Sequence, residues 1–156
     1  MARVCAPLTL YPPDDPGGRA GFTATAMCSV SDDPPTLLVC MNERSTQTGL
    51  FLANQRFCVN VLTQSHMHLA GKFAGAIRDM AERYNAARWQ TMPSGMPALL
   101  DAIVSFDCEI GAVNKVGTHN VMFGRVVDIR HGSDEAALLY VGRNYMQPSA
   151  VGSFGG

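Results

Sequence analysis

The sequence lacks long hydrophobic runs, an excess of charge of either sign, and a secretory pattern at its N-terminus. Its longest apolar stretches, such as residues 36–41, are far shorter than the ~20 residues that cross a bilayer. Twelve basic and 13 acidic side chains give a net charge of −1, so the cationic surface that nucleic acids or anionic membranes require is missing. No charged segment followed by an apolar one stands at the start. We therefore expect a cytoplasmic protein that binds neither nucleic acid nor membrane.

The short motifs of several common active sites are also missing. The chain contains no G-x-G-x-x-G, no P-loop, no G-x-S-x-G and no H-E-x-x-H. A nucleotide, if one binds, must therefore bind outside the Rossmann mode. Only His66 and His68 are close together among the histidines, and on a helix they would point about 200° apart. No cysteine or carboxylate completes a site with them, so we predict no metal.

Five cysteines are present, and none forms a C-x-x-C pair. Their odd number and wide spacing argue against a disulfide framework. Four of them lie in apolar, strand-like stretches, where a thiol behaves as a small hydrophobe and stays protonated. We therefore predict buried reduced thiols rather than a nucleophile at Cys5, Cys28, Cys40, Cys58 and Cys108.

The sequence does contain enough apolar material for one folded domain. Its 156 residues are 47% hydrophobic and 16% charged, and a chain of this length buries a core without disulfides or metal. Runs rich in β-branched or alternating apolar residues predict strands at 4–11, 21–30, 36–41, 57–62, 102–113, 122–129 and 137–141. Because an open sheet would leave unpaired edges, we expect a closed barrel. The domain is predicted to span residues 1–148, followed by a flexible tail at 149–156.

Two segments depart from the strand pattern. Residues 45–54 follow a cluster of hydroxyl side chains, which predicts a short helix whose first turn is capped by a hydroxyl. Residues 65–84 carry apolar side chains at helical spacing. Gly71 and Gly75 each weaken that helix by up to ~1 kcal/mol relative to alanine, which predicts either a break or a close approach of another group. The expected fold class is mainly β with short helices.

Residues 21–30 form the first candidate binding element. Period-two alternation places Thr23, Thr25, Met27 and Ser29 on one face and small apolar residues on the other. Hydroxyls beside small residues suit a flat aromatic ligand. A solvent-facing strand explains the same threonines, and the pattern alone favours that simpler interpretation.

Three further motifs carry polar groups that suit a ligand. The hydroxyls of residues 42–48, the free amides of a helix N-terminus and Arg44 predict an anion-binding turn, with ordinary helix capping as an equal alternative. His119 lies between two predicted strands and is a proton donor, a charge partner or simply solvated. Arg143, flanked by tyrosines, binds a phosphate, stacks on a ring or lies free on the surface.

Several segments, taken together and in order, carry a resemblance to a known family. They are GFTATAMCSVSDDPP at 21–35, LVCMN at 38–42, FCVNVL at 57–62, FAG at 73–75, RWQ at 88–90, SFDC at 105–108, GTH at 117–119, and Arg143 with Tyr145. The chain resembles the flavin reductase family with the FMN-binding split barrel. It is similar in particular to the small reductase partners of two-component flavin monooxygenases, such as the 4-hydroxyphenylacetate 3-hydroxylase and pyrimidine-utilisation reductases. The resemblance covers nearly the whole chain and is specific from residue 21 to 62.

The resemblance implies a homodimeric split barrel that uses NADH, or less strictly NADPH, to reduce FMN or FAD. Reduced flavin would then leave for a separate oxygenase. Because hydride passes between the two cofactors, no essential general acid or nucleophile is implied. The resemblance implies that the isoalloxazine is lined by Thr23, Ala24, Thr25 and Ala26, that ribityl and phosphate are held by Asn42, Ser45, Thr46 and Gln47, that the flavin site is closed by Phe73 and Gly75, and that the nicotinamide nucleotide faces His119, Arg143 and Tyr145.

Two alternatives keep the fold but change the function. One is a flavoprotein that holds FMN permanently and reduces another acceptor, such as a ferric complex. The other is a split-barrel protein that binds flavin or haem without turnover.

The chain also departs from the family near its start, where members usually carry a helix and then an uninterrupted strand. Here Pro7, Pro12 and Pro13 predict an edge or interrupted strand at 4–11.

Overall fold

The fold is built mainly from β-strands with a few short helices between them. The computed structural model describes residues 3–5, 7–11, 19–76 and 78–149. The strands in these ranges are β1 (Arg3–Cys5), β2 (Pro7–Tyr11), β3 (Ala20–Thr23), β4 (Met27–Asp32), β5 (Pro35–Asn42), β6 (Arg56–Val61), β7 (Trp89–Thr91), β8 (Pro97–Leu99), β9 (Val104–Val116), β10 (His119–His131), β11 (Leu139–Val141) and β12 (Asn144–Met146). The helices are α1 (Thr48–Asn54), α2 (Met67–Gly71) and α3 (Met80–Asn85), with a 3₁₀ turn at Gln64–His66 and a π-helical turn at Lys72–Ala76. The predicted fold class is confirmed.

Seven strands form one antiparallel sheet in the order β3-β2-β6-β9-β10-β5-β4. β3 and β4 lie at its two ends, and no ladder joins them in the described part of the chain. The sheet is therefore not closed, and the expected closed barrel is wrong. The predicted strand 21–30 is divided into β3 and β4, since residues 24–26 belong to no strand and connect the two end strands of the sheet.

The remaining strands form two small sheets, β1-β11-β12 and β7-β8. The predicted strand 4–11 is interrupted, as expected, because β1 pairs with β11 whereas β2 lies between β3 and β6. Pro7 is the first residue of β2, where a missing N–H costs the ladder least. The predicted strands 36–41, 57–62, 102–113, 122–129 and 137–141 correspond to β5, β6, β9, β10 and β11.

One face of the large sheet is buried and the other is only partly covered. Along β5, Leu37, Val39 and Met41 are buried, whereas Leu38 and Cys40 are half-buried. This alternation is the period of two expected of a strand with one core-facing side. The inner face packs into the first core cluster, and the outer face keeps accessible apolar surface.

The inner face is closed by α1 and by aromatic side chains. Phe51 of α1 and Phe57 of β6 are both fully buried in the first core cluster. Gly124 of β10 must stay small, because an added Cβ would collide with the Phe57 ring and come within 2.9 Å of the Cys108 Cβ. Close packing of this kind makes interior positions sensitive to a single methyl group.

A second core cluster forms around α2 and α3. It contains Leu62, Leu69, Phe73 and Tyr84, all at most 3% exposed. The predicted helix 65–84 is divided into the 3₁₀ turn, α2, the π-helical turn and α3. Gly75 lies at the division with a φ of 111°, so the break predicted from the glycines is confirmed.

The predicted helix 45–54 begins later than expected. α1 starts at Thr48, and its N-cap residue Gln47 makes no side-chain capping bond. The expected hydroxyl cap is therefore wrong. Ser45 instead accepts a hydrogen bond within the preceding turn, from the Gln47 N–H over 3.3 Å, and the Thr48 hydroxyl donates to the Asn42 carbonyl over 2.9 Å.

The four cysteines whose side chains are described are free thiols, as predicted, but they are not all buried. Cys58 and Cys108 are buried, Cys40 is half-buried, and Cys28 is exposed. The prediction of burial is wrong for Cys28, because β4 is an edge strand and Cys28 and Val30 keep accessible surface there. The prediction for Cys5 lies outside the described side chains.

Two sequence predictions concern the ends and the membrane. The domain boundary at residue 148 and the flexible tail stay predictions, since residues 150–156 lie outside the described ranges. No helix within those ranges has the length and apolar character needed to cross a membrane.

Candidate functional site

Each of the two predicted parts of the flavin site, residues 23–26 and 42–47, is hydrogen-bonded to a residue that lies just before the other part. The Gly21 N–H donates to Gln47 Oε1 over 2.6 Å, which joins β3 to the turn before α1. The Cys40 N–H donates to the Ala26 carbonyl over 3.0 Å, which joins the segment after β3 to β5. The two segments therefore lie side by side at the end of β5.

Residues 23–26 differ in what they offer to a ligand. The Thr23 hydroxyl donates to the Ala70 carbonyl of α2 over 2.8 Å, so it is already used within the protein. Ala24 is buried, Thr25 is half-buried at a bend, and Ala26 is exposed. The bend ends the predicted alternation of faces, and Ala26 is the one exposed residue of this segment.

Asn42 organises the turn that follows β5. Its Oδ1 accepts from the Arg44 N–H over 2.9 Å, and its carbonyl accepts from the Ser45 N–H over 3.0 Å. The Thr48 hydroxyl bonds to the same carbonyl. These bonds hold the turn in one conformation before α1 begins, as expected of an asparagine that pairs with the backbone two residues later.

Thr46 and Arg44 carry polar groups in this turn that form no hydrogen bond or ion pair with other described residues. Both are exposed. Within the described ranges, neither the Thr46 N–H and hydroxyl nor the Arg44 guanidinium has a hydrogen bond or an ion pair. Since α1 has only seven residues, the predicted anion-binding function belongs to the turn rather than to a helix N-terminus.

His119 lies directly beside the turn. It is the cross-strand partner of Asn42 in the ladder between β10 and β5. The Glu43 N–H donates to the Thr118 carbonyl over 2.9 Å, and the Thr118 hydroxyl lies 3.0 Å from His119 Nδ1. A residue predicted to face the nicotinamide is thus adjacent to one predicted to hold the flavin.

The other two residues predicted to face the nicotinamide lie in a different sheet. Arg143 is in the tight turn between β11 and β12 with a φ of 67°, after Gly142 with a φ of 58°. Tyr145 packs against the second core cluster, and its ring centroid lies 5.2 Å from that of Tyr140. Burial, followed by the charge of Tyr140, raises the pKa of Tyr145. No described hydrogen bond or ion pair connects Arg143 or Tyr145 to His119.

Phe73 and Gly75 occupy contrasting positions. The Phe73 ring is 2% exposed and packs edge-on against Tyr84 and Trp89, with centroid distances of 5.7 and 6.3 Å. It belongs to the core and presents almost no surface to a ligand. Gly75 is exposed at the break before α3.

The start of β3 is fixed by Tyr84 and Trp89, to which the sequence assigned no role in a site, although Trp89 belongs to the RWQ motif at 88–90. The Tyr84 hydroxyl donates to the Ala20 carbonyl over 2.9 Å, and Trp89 Nε1 donates to the Tyr84 carbonyl over 2.7 Å. Trp89 is the only tryptophan of the chain, which is a second sequence signal that could have drawn attention to this position.

Buried ionisable groups lie away from the turn after β5. Asp107 is fully buried beneath the β7–β8 hairpin, where its Oδ2 accepts a short hydrogen bond from the Ser94 hydroxyl. Burial raises the pKa of Asp107. Burial also lowers the pKa of His66, whose Nδ1 accepts from the Thr63 N–H over 3.1 Å. Across the described ranges no three His, Cys, Asp or Glu side chains are grouped closely enough to hold a metal ion.

Sequence comparison relates the chain to proteins with known activities. The flavin reductase like domain family matches residues 1–149. The FMN reductase (NADH) RutF of Pantoea ananatis (strain LMG 20103) is 46% identical over 145 residues, which cover 93% of this chain and 76% of that protein. The protein of the same name from Stutzerimonas stutzeri (strain A1501) is also 46% identical over 145 residues, covering 93% and 83%.

Structural comparison gives the same relationship. A candidate flavin reductase from Haemophilus somnus 129pt superposes with a TM-score of 0.88 at 37% identity, covering 94% of this chain and 92% of that one. A homologue of nitrilotriacetate monooxygenase component B from Mycobacterium thermoresistibile superposes with a TM-score of 0.82 at 25% identity, covering 93% and 80%. These likenesses confirm the split-barrel fold that the resemblance implied.

Proposed function

The chain belongs to the flavin reductase like domain family, and from that membership we propose that it transfers hydride from NADH to FMN or FAD and releases the reduced flavin to a separate oxygenase. Relatives at 46% identity are named NADH-dependent FMN reductases. The observation that carries the proposal is the meeting of residues 23–26, the turn 42–47 and His119 at the end of β5.

The chemistry of this region fits a flavin. Ala24 and Ala26 are small, so a flat ring can approach the backbone between them. Thr46 supplies an unused N–H and hydroxyl, and Arg44 an unpaired guanidinium, which are the groups that a ribityl phosphate requires. In the proposal, Thr25 joins these alanines along the ring, and Asn42, Ser45 and Gln47 join Thr46 along the ribityl chain.

In this proposal, some of the predicted flavin residues position the backbone of β3 instead of contacting the flavin. The Gln47 amide oxygen and the Thr23 hydroxyl already bind Gly21 and Ala70, so they hold β3 in place beside the ligand. Phe73 supports the same region from within the core, and Gly75 lets the chain turn away from it. Positioning of this kind is what hydride transfer requires, because the cofactors supply the reacting atoms.

Of the three residues proposed to contact the nicotinamide nucleotide, His119 lies nearest the proposed flavin site. Its ladder position beside Asn42 places an imidazole at the edge of the proposed flavin site. Arg143 and Tyr145 remain in the proposal as contacts for the same nucleotide. Because they lie in the β1-β11-β12 sheet, they would contact a different part of it from His119.

The proposal includes a homodimer formed through the outer face of the large sheet. On this face Cys28, Leu38 and Cys40 of β4 and β5 adjoin Val121 and Phe123 of β10. All five keep accessible surface, although none carries a charge. An accessible apolar sheet face next to an open edge strand is typical of a surface that a second chain covers.

The exposed thiol of Cys28 offers a test of this interface. We expect light scattering to give the mass of two chains, and we expect maleimide to react with Cys28 much more slowly at dimer-forming concentrations than after dilution. Cys28→Ser identifies the label, because loss of labelling in this variant excludes half-buried Cys40, and Cys58 and Cys108 are buried in the chain itself. A single-chain mass with rapid labelling at every concentration contradicts the homodimer.

The proposal includes a cytoplasmic location, which the proposed reductant and the thiols support. Cys28, Cys40, Cys58 and Cys108 are free, which suits the reducing conditions of a cytoplasm that also supplies NADH. The oxygenase partner is proposed because the relative from Mycobacterium thermoresistibile is named as a component of a monooxygenase system.

The reaction is tested by mixing the protein with NADH and either FMN or FAD in air and following the nicotinamide absorbance. We expect oxidation that saturates with added flavin, and we expect bound flavin to be lost on gel filtration. Flavin that stays bound while NADH oxidation needs a ferric acceptor supports the resident-flavin alternative. Retained flavin or haem without any oxidation supports a binding protein and contradicts the proposed activity.

A further inference from the structure

A cleft of about 430 Å³ opens beside Tyr84, between Arg19 and the β7–β8 hairpin. Ligand pockets commonly enclose roughly 300–1,000 Å³. None of the residues proposed to hold the flavin or the nicotinamide lines this cleft. It is therefore a separate place where part of a ligand can bind.

One wall of the cleft is an aromatic surface whose geometry is fixed. The Tyr84 and Trp89 ring centroids lie 5.0 Å apart. Trp89 Nε1 bonds to the Tyr84 carbonyl, and the Tyr84 hydroxyl bonds to the Ala20 carbonyl of β3. The Phe73 ring supports both from the core side. Since the indole is half-buried, part of it remains open for stacking.

Arg19 adds a positive charge to this wall. Its Cζ lies 5.2 Å from the centroid of the Tyr84 ring, and the residue is exposed. Among the described residues it forms no ion pair and no side-chain hydrogen bond. A guanidinium that rests on a ring keeps its N–H groups available at the edge, where a phosphate can accept them in pairs.

The rest of the lining comes largely from the β7–β8 hairpin, which also carries Trp89 and is likewise held in place. Gln90 and Thr91 of β7 line the cleft, together with Gly95 in the connecting turn. The Ser94 hydroxyl bonds to buried Asp107, which fixes the turn to the large sheet. The Gln90 amide provides a donor and an acceptor that suit the edge of a nitrogenous base.

We propose that this cleft binds the 5′-adenylate group of a dinucleotide, with the purine stacked on Trp89 and a phosphate on Arg19. The inference rests on the proposed function, because NADH and FAD both carry this group. An aromatic face, an unpaired guanidinium and a side-chain amide together match a base with a phosphate attached.

The cleft is also within reach of the proposed flavin site. Arg19 immediately precedes β3, and Thr23 ends it. Four residues of extended strand span roughly 13 Å. A dinucleotide joined through a pyrophosphate has the length to follow β3 from one site to the other.

The first test uses AMP alone and the emission of Trp89. As the only tryptophan, Trp89 reports directly on this cleft. We expect a saturable change in emission with AMP and none with inorganic phosphate at the same concentration. Arg19→Gln should weaken AMP binding at least tenfold. Arg88→Gln, which removes a charge from the adjacent position where Arg88 pairs with Asp101, should leave it within twofold.

The second test separates the two sources of the adenylate group. In Arg19→Gln, a higher KM for FAD with an unchanged KM for FMN assigns the cleft to FAD, and a higher KM for NADH assigns it to the nicotinamide nucleotide. Unchanged KM values for all three, or AMP binding equal to that of the original chain, overturns the inference. Failure of the wild-type chain to oxidise NADH would contradict the proposed function instead, and the AMP titration would still be decisive for the cleft.

Discussion

The two halves of the segment 21–30 are adjacent in sequence but are held in opposite ways. β3 is joined to other elements by side chains, since Gln47, Thr23 and Tyr84 each make a hydrogen bond there, of 2.6, 2.8 and 2.9 Å. β4 lies at the other end of the sheet and pairs with β5 alone. In the described part of the chain no side chain from another element bonds to β4.

The difference indicates that the two edge strands have different functions. Groups that must position a ligand benefit from a backbone held by several bonds, since a small displacement of a reacting group is costly. An open edge strand instead has unpaired backbone groups and accessible apolar side chains, which a second chain can bind. The fixed edge therefore belongs to the proposed ligand sites, whereas the free edge adjoins the sheet face of the proposed dimer.

The largest expected effect is on the free energy of unfolding, when the contacts that hold β3 in place are removed. Tyr84→Ala removes a buried ring together with its bond to Ala20, and we expect the free energy of unfolding to fall by about 3–5 kcal/mol. Val30→Ala on β4 removes a half-exposed side chain and should change it by no more than about 0.5 kcal/mol. Urea denaturation of the two variants measures the contrast. Similar losses in both would show that the edges are held equally.

The next effect concerns association. Cys28→Asp places a charge on the proposed interface and should raise the dimer dissociation constant at least about tenfold, with little change in the stability of the single chain. Ser29→Asp, the matched control, places the same charge at the neighbouring position, whose partner Leu37 faces the core. Sedimentation at several concentrations gives both constants. Equal weakening by the two variants would argue against an interface on this face.

A smaller effect tests how β3 positions the ligand. Thr23→Val leaves the Ala70 carbonyl without its hydroxyl donor and should cost about 1 kcal/mol of unfolding free energy. Because residues 24–26 follow directly, we also expect a severalfold higher KM for FMN with kcat nearly unchanged. Ser29→Ala on β4 serves as the control. A Thr23→Val enzyme with normal KM would show that this bond stabilises the fold without positioning flavin.

The sequence predicted most of the central strands because their signal is local. β5, β6 and β10 are apolar runs between polar turns, and the glycine-based break at Gly75 depends on one residue's conformational freedom. The resemblance to a family implied residues for the flavin and for the nicotinamide nucleotide. Whether those residues bind flavin and nicotinamide stays a prediction.

The parts that the sequence did not predict depend on contacts between distant residues. Nothing in residues 21–30 marks the bend at Thr25, since small and β-branched residues continue through it. The bond from Tyr84 to Ala20 spans 64 residues, and no local pattern reports such a contact. The same holds for the ring contacts that Phe73 makes with Tyr84 and Trp89, which lie further along the chain.

The smallest expected effect concerns the hairpin that forms one wall of the cleft. Burial raises the pKa of Asp107 above its ordinary value of 3.8, so the folded chain holds this proton more tightly than the unfolded chain. As pH rises from 3.8 through the folded pKa, the unfolded chain loses the proton first, and the contribution of this group to stability is lost.

Asp107→Asn removes that titration and keeps an oxygen for the Ser94 hydroxyl. We expect the variant to be at least as stable as the original chain at pH 7 and to lose less stability between pH 4 and 7. Thermal melts across this range provide the measurement. A variant that is less stable at pH 7 would mean that the charged carboxylate is favoured beneath the hairpin, which its unpartnered Oδ1 argues against.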